Sequence, residues 1–370
     1  MTAEEIYSVF IVCIGLVLNL VLFRHFPLLP ANDKTKNGRT VSVIIPARNE
    51  EENLKRLLGD LQAQTLQPHE VICVDDNSKD DSARIIGSFD VSLISLRDKP
   101  ESWTGKNWAC HNGAIKATGE LLLFLDADVR LGPDGLARLL QAYRENNCTI
   151  SVQPYHDTKE LYEQPSLIFN LTQLAANGTT LPWNSKLGLH GPVILISKAD
   201  YEAIGGHESV RDIVVEDLAL GQKLKELGLS FKLYIGDPQV SYRMYSNGFR
   251  SLFQGWVKNF ATGAANTSLL LFVLIFFWIG SITNSPRYLI QYAIGGNSTM
   301  VFTHGILYLV WVLVLYLIAK KIGRFNPIGL IFFPIHVLIF LIIFLVSVFT
   351  RLFDLPILWK DRVIAGKRKA

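Results

Sequence analysis

The sequence predicts an α/β domain built on a mostly parallel sheet with helices on both faces, with membrane-spanning helices at both ends of the chain. Three observations carry this. Short β-branched runs alternate with segments of helical periodicity from Thr40 to about Tyr242, acidic residues stand just beyond several of those runs, and the strongly apolar stretches collect at the two termini.

Composition sets the outer bounds. Hydrophobic residues make up 49% of the 370 and charged residues 19%, whereas a soluble domain averages about 25% charged. The length allows roughly two to three units. A net charge of +3, with no basic run interleaved with aromatics, argues against a nucleic-acid partner. Cys13, Cys73, Cys110 and Cys148 are far apart and form no Cys-x-x-Cys pair. That spacing suits neither a zinc site nor a disulfide framework and points to a reducing compartment.

Ile6 to Phe23 is almost purely apolar and just long enough to cross a hydrocarbon core of ~30 Å. A cleaved signal peptide needs a positive leader, and this one carries Glu4 and Glu5. Arg24, Lys34, Lys36 and Arg39 follow the run, so the positive-inside rule places the short N-terminus outside and the next domain in the cytosol. Val41 to Ile45, Glu70 to Val74, Val91 to Leu96 and Leu121 to Leu125 read as strands. Leu54, Leu57, Leu58 and Leu61 mark one amphipathic helix; Leu136, Leu139, Leu140 and Tyr143, after Gly132-Pro133, mark another. Phe249, Leu252, Phe253, Trp256, Val257 and Phe260 then line one helical face with basic flanks, which suits a helix lying in the membrane interface; an ordinary core-facing stripe is the alternative.

Leu269 to Ile282, Val301 to Ala319 and Ile328 to Phe349 are further apolar runs, the first rather short. Basic residues gather at Lys320-Lys321 and Arg324, and again at Lys367-Arg368-Lys369. Both clusters cannot lie inside across a single crossing. Either one run is re-entrant or an extra crossing lies between Pro286 and Gly296; the tail is expected in the cytosol. The resulting division is an anchor and linker over 1–39, a catalytic domain over 40–245, an amphipathic helix over 246–267 and membrane segments with a basic tail over 268–370.

In parallel sheets the ligand crevice lies beyond the carboxyl ends of the strands, and acidic residues stand there. Asp75-Asp76 follows the second strand, Asp126-Ala127-Asp128 the fourth, and Glu216-Asp217 opens a helix after Val214-Val215. Aspartate is also a common turn former and helix cap, but three such groups in one domain favour a site. Asp126 and Asp128, at i and i+2 on extended backbone, address one ligand. Carboxylates suit a hard divalent cation, Mg²⁺ or Mn²⁺, that also binds a diphosphate leaving group. Asp217 is then the candidate base for the attacking hydroxyl.

These pieces, in this order, resemble the inverting family 2 glycosyltransferases of the GT-A fold. The resemblance rests on Val43-Ile44-Ile45-Pro46-Ala47-Arg48-Asn49-Glu50, Val74-Asp75-Asp76-Asn77-Ser78, Asp126-Ala127-Asp128 and Glu216-Asp217. It implies that Pro46, Ala47, Glu50 and Asp75 or Asp76 hold the nucleoside. Asp126 would reach the ribose or phosphate, Asp128 would bind the metal and Asp217 would be the base. Trp103-Thr104-Gly105-Lys106-Asn107-Trp108-Ala109 looks like the family segment that approaches the donor, with Lys106 as the charge for the diphosphate, although a solvated surface lysine is the plainer reading. The wording of that segment is similar to carotenoid-acid glycosyltransferases of the staphyloxanthin type and to hopanoid-associated relatives. The Gln-x-x-Arg-Trp motif of processive polysaccharide synthases is replaced by Gln254-Gly255-Trp256-Val257-Lys258, leaving Arg250, Gln254 and Lys258 as unassigned candidates for diphosphate contacts.

The expected activity is therefore transfer of a hexose, glucose from UDP-glucose, onto a lipid-like acceptor at a multi-pass cell membrane. A polyisoprenyl phosphate acceptor keeps the same fold. A nucleotidyltransferase would also place metal-binding carboxylates at strand ends but would have no use for Asp217, and a non-catalytic scaffold would have no use for the acidic set.

Overall fold

A computed structural model describes residues 1–32, 38–183, 187–263, 267–359 and 362–365. Lys34, Lys36 and the basic tail at Lys367-Arg368-Lys369, on which part of the expected topology rests, lie outside the described residues. The chain forms two compact units. One takes Pro27–His156, Gly188–Met244 and Asp354–Ala370; the other takes Met1–Phe26, Asp157–Leu187 and Tyr245–Phe353.

The first unit carries the α/β elements. In chain order these are β1 (Val41–Ala47), α2 (Glu51–Gln62), β2 (Glu70–Asp76), α3 (Ser82–Ile86), β3 (Ser92–Leu96), α4 (Gly105–Lys116), β4 (Leu121–Leu125) and β5 (Val129–Leu131). There follow α5 (Gly135–Asn146), β6 (Thr149–Gln153), β7 (Tyr155–Asp157), β8 (Val193–Ser197), α7 (Lys198–Ala203), α8 (Glu216–Glu226), β9 (Phe231–Ile235) and β10 (Val240–Tyr242). The main sheet has seven strands in the order β3-β2-β1-β4-β8-β6-β9. β3, β2, β1 and β4 run parallel, β8 is antiparallel to both neighbours, and β6 and β9 are parallel again.

β1 is buried on both faces, as expected for a strand between two parallel partners. Val43 and Ile45 point into one core with Leu54, Leu57, Leu58 and Leu61 of α2. Ile44, Ile72 and Val74 point into the opposite core with Ala109, Cys110 and Ala114 of α4. Gly113 lets α4 approach that closely, since a Cβ there would sit 2.5 Å from Ile44 Cγ2. Leu57 is fully buried, so truncating it to alanine costs ~2 to 5 kcal/mol.

The second unit is helical: α1 (Ala3–Leu22), α6 (Ser166–Ala176), α9 (Phe249–Gly263), α10 (Leu269–Ile294), α11 (Ser298–Ile322) and α12 (Phe333–Leu352). Among the described residues four helices are long and apolar enough to cross a membrane: Ala3–Leu22, Leu269–Ile294, Ser298–Ile322 and Gly329–Leu352. The short run ending at Ile282 is the first part of a 26-residue helix that continues through Pro286, so the stretch from Pro286 to Ile294 is no separate crossing. Polar side chains in the break at 283–287 are satisfied within the helix, since Thr283 Oγ1 and Asn284 Nδ2 donate back to the carbonyls of Ile279 and Gly280, at 2.7 and 2.8 Å.

The apolar stripe on α9 differs from the expected interface helix. Leu252 and Trp256 are fully buried. Trp256 stacks on Phe169 of α6 with ring centroids 4.6 Å apart, and Phe260 meets Phe340 and Phe344 of α12 at 5.6 and 6.1 Å. Protein rings cover this face, and Phe249 alone among its aromatics is largely exposed. Aromatic periodicity marks burial without naming what does the burying.

Candidate active site

Two loops leave the carboxyl ends of β1 and β2 and are laced together. Asn49 and Asn77 take left-handed backbone angles, φ 51° and 54°, which asparagine tolerates better than most residues. Asn49 N donates to Ser78 Oγ at 3.0 Å, and Lys79 N donates to Asn49 Oδ1 at 2.8 Å. Arg48 Nη1 donates to the carbonyls of Asp76 and Asn77 at 2.7 and 3.1 Å. Glu50 is anchored at both ends: its N–H donates to Ser82 Oγ at 2.8 Å and its carboxylate accepts from Asn53 Nδ2 at 2.7 Å. Asp75 and Asp76 are buried, and the parallel register sets Pro46 beside Val74 and Ala47 beside Asp75. Pro46, Ala47, Glu50, Asp75 and Asp76 therefore share one corner of the sheet.

The second corner lies where β4 ends. Asp126 and Asp128 are half-buried on either side of buried Ala127, but on a turn closed by Val129 N–H donating to Asp126 O at 3.1 Å, not on the extended backbone expected. Asp126 N donates to Pro192 O at 2.9 Å, which brings the chain entering β8 to the same edge. Lys106, in the first turn of α4, reaches across: its Nζ lies 2.8 Å from Asp126 Oδ1 and 2.9 Å from Glu216 Oε1. Burial works against the lysine charge, but the two carboxylates outweigh it and hold its pKa well above the usual value. Lys106 is thus the electrostatic node of the site and no solvated surface residue.

Glu216 and Asp217 begin α8, where acidic side chains are favoured by the helix dipole. Burial, and then the charge of Glu216, push the Asp217 carboxyl from 3.8 up to about 7, with Lys106 pulling the other way. Three glycines let the chain before β8 press against α8. A Cβ on Gly191 would meet Asp217 Oδ2 at 2.9 Å, one on Gly188 would meet Leu218 Cα at 2.6 Å, and one on Gly221 would meet Gly188 Cα at 2.6 Å. Each of these close approaches requires glycine. Sequence reasoning passed over all three; a Gly-x-x-Gly immediately before a strand was the available signal.

Among the described residues no three His, Cys, Asp or Glu side chains form a cage that could hold a metal. Asp126 and Asp128 nonetheless fit a hard divalent cation of the kind that keeps waters and shares phosphate oxygens instead of sitting in an all-protein cage. Arg250 belongs to the helical unit, on α9, and is exposed there.

Comparison with known proteins identifies the family and the fold. The profile of glycosyl transferase family 2 matches residues 42–204, the stretch from β1 to the end of α7. The chain is 32% identical over 345 residues to the 4,4'-diaponeurosporenoate glycosyltransferase of Staphylococcus aureus strain USA300, covering 91% of each chain. It is 32% identical over 351 residues to the corresponding protein of strain MRSA252, again covering 91% of each. Its fold is similar to that of a mannosyltransferase from Pyrobaculum calidifontis solved with GDP-mannose and Mn²⁺, with a TM-score of 0.54 and 16% identity over 93% of this chain and 99% of that one. A seven-stranded GT-A sheet with its acidic groups at the strand ends, and relatives aligned over nearly the whole length, place this chain in glycosyl transferase family 2 as a glycosyltransferase resembling the diaponeurosporenoate enzymes.

Proposed function

We propose that the enzyme moves glucose from UDP-glucose onto a carotenoid carboxylic acid at the cytosolic face of a cell membrane, with inversion at the sugar. The observation that carries the acceptor class is the 32% identity, over 91% of both chains, to proteins named for diaponeurosporenoate. Desolvation raises a carboxylic acid's pKa, so an acceptor acid that enters the site protonated can pass its proton to Asp217, held near 7. The acceptor oxygen then attacks the anomeric carbon, the bond to the diphosphate breaks, and the nucleoside diphosphate leaves.

In this reading Pro46, Ala47, Glu50, Asp75 and Asp76 hold the nucleoside, and Asp126 and Asp128 present oxygens to a Mg²⁺ or Mn²⁺ that would neutralise the leaving diphosphate. Lys106 exchanges part of its pairing with Asp126 for a phosphate oxygen while keeping Glu216. Asp217 takes the acceptor proton. Arg250 remains a candidate diphosphate contact contributed by α9.

Membrane placement draws on the helical unit. Gln291 Nε2 and Asn297 Nδ2 donate to Glu4 and Glu5 at 3.1 and 2.8 Å, gathering the acidic end of α1 with the end of α10. Lys321, at the end of α11, sits 4.7 Å over the Phe26 ring. Acidic residues thus collect at one end of α1 and basic residues at the other, and a cytosolic basic end agrees with the positive-inside rule.

The test uses membranes carrying the full chain, labelled UDP-glucose and an extract rich in carotenoid acids. A labelled product of ester mass that mild alkali cleaves is expected, because a sugar ester hydrolyses where a glycoside does not. An alkali-stable product would overturn the carboxylic acceptor, and label taken only from another nucleotide sugar would overturn the donor.

A further inference from the structure

We propose that Asn107 is a positioning residue for the catalytic base, clamping the backbone that delivers Asp217. This rests on the reading of Asp217 given above. Asn107 lies in the first turn of α4, one residue after Lys106, and is fully buried. Its backbone N–H caps the helix by donating to Thr104 Oγ1 at 3.3 Å. Its side-chain Nδ2 lies 2.7 Å from the carbonyl of Val210, 3.3 Å from that of Arg211 and 3.0 Å from that of Ile213. The two N–H bonds of one amide are therefore shared among three acceptors. Thr104 N adds a fourth tie, to Arg211 O at 2.7 Å.

The other backbone bonds of the held segment are local turns, Arg211 N to Glu208 O at 3.3 Å and Ile213 N to Val210 O at 3.0 Å. Val210 is fully buried, but Arg211, Asp212 and Ile213 are exposed and Val214 and Val215 only half-buried. The next residues are Glu216 and Asp217. Two consecutive residues of α4 thus grip both sides of this stretch: Asn107 takes the backbone that leads in, and Lys106 takes the Glu216 side chain where α8 begins. Asn107 Oδ1 is buried without a hydrogen-bond partner. A side chain serving only to fill the space would carry no such unmet acceptor; the amide is there for its donors. The clamp matters because a misplacement of about 1 Å costs on the order of 10²-fold in rate.

Asn107→Asp keeps the shape and turns the donors into acceptors facing three carbonyls, while Asn107→Ser keeps a single donor. Both are assayed as the full chain in detergent, with UDP as the binding probe and turnover counted per folded molecule. Turnover in Asn107→Asp is expected to fall ~10²-fold, with Asn107→Ser in between, while UDP affinity stays within about threefold of the parent. Unchanged turnover in Asn107→Asp, or a parallel fall in UDP affinity and turnover, overturns the proposal. If Asn107→Asp does not purify, Asn107→Ser decides alone, and parental turnover there overturns it. Asp217→Asn runs alongside: loss in Asp217→Asn with full turnover in Asn107→Asp sinks the clamp and leaves the base standing, whereas turnover kept in Asp217→Asn sinks both.

Discussion

The two units bury polar groups for opposite purposes. In the α/β unit the groups that matter are charged and open to the crevice through their partners: Lys106 is 34% exposed and Asp126 29%, with Glu216 buried at 8% behind them. In the seam where α1 meets α10 and α11 they are neutral and sealed. Ser8 and His304 are fully buried and lie 3.0 Å apart. Trp278 Nε1 donates to Asn19 Oδ1 at 3.0 Å, and Ser281 Oγ donates to Val12 O at 2.9 Å. The seam works because Gly15 has no side chain, since a Cβ there would stand 2.2 Å from Ser281 Oγ. Charge is kept where a ligand and water can answer it, and neutral hydrogen bonds serve where an unanswered charge would be ruinous. Substitutions in the first unit should therefore change chemistry with little loss of fold, and those in the second should change stability with little loss of chemistry.

The largest effect is expected from the metal. Chelation with EDTA should bring transfer to background and Mg²⁺ or Mn²⁺ should restore it, while Asp128→Asn stays inactive yet inserts in the membrane; full activity in that variant with chelator present removes Asp128 from the metal. Next comes Asp217→Asn, for which turnover should drop by ~10² to 10⁴ with nucleotide affinity kept. That variant also tests the sign of burial. A carboxyl whose folded pKa lies above its unfolded value takes stability away as pH rises from about 4 through about 7. Asp217→Asn should accordingly melt higher than the parent at pH 8 and the same as it at pH 4. An identical difference at both values would mean that the carboxyl is not held near 7.

A smaller effect follows on the parent enzyme itself. With a base titrating near 7, turnover should fall about tenfold per pH unit below that point, and a flat profile from pH 5 to 8 would show that proton removal is not limiting. The smallest effect belongs to the sealed seam. Ser281→Ala removes the donor to Val12 O with little change of volume and should cost ~0.6 kcal/mol, the average for such bonds between membrane helices, measured by thermal melting in detergent with turnover per folded molecule unchanged. A turnover loss there would erase the division between the units.

Legibility followed locality. Leu121 to Leu125 reads correctly as β4, and the leucines of α2 and α5 mark the faces that are buried. β1 runs on through Pro46 and Ala47 because β2 continues beside them as far as Val74 and Asp75, which no local pattern announces. The acidic groups were visible as residues, but their pairing was not: Lys106 meets Asp126 and Glu216 across long stretches of chain. Asn107 was silent for a related reason, since its partners are backbone carbonyls and any residue type supplies those. α10 extends past Ile282 with its polar side chains satisfied on their own helix, which composition hides.

The helix α6 has a consequence for how the protein is made. It is almost entirely buried, and Phe169 at its centre packs on Trp256 and Phe340. Both partners are synthesised long after it, on α9 and near the start of α12. At about 5 to 20 residues per second, a ribosome-bound chain carries this helix uncovered for many seconds, between the strands β6 and β8 that it separates in sequence. Until the last helix arrives, the apolar surface of α6 would have to be shielded by something other than its final partners. Cutting the gene before α12 should yield an aggregating chain with α6 laid bare, and no soluble catalytic fragment.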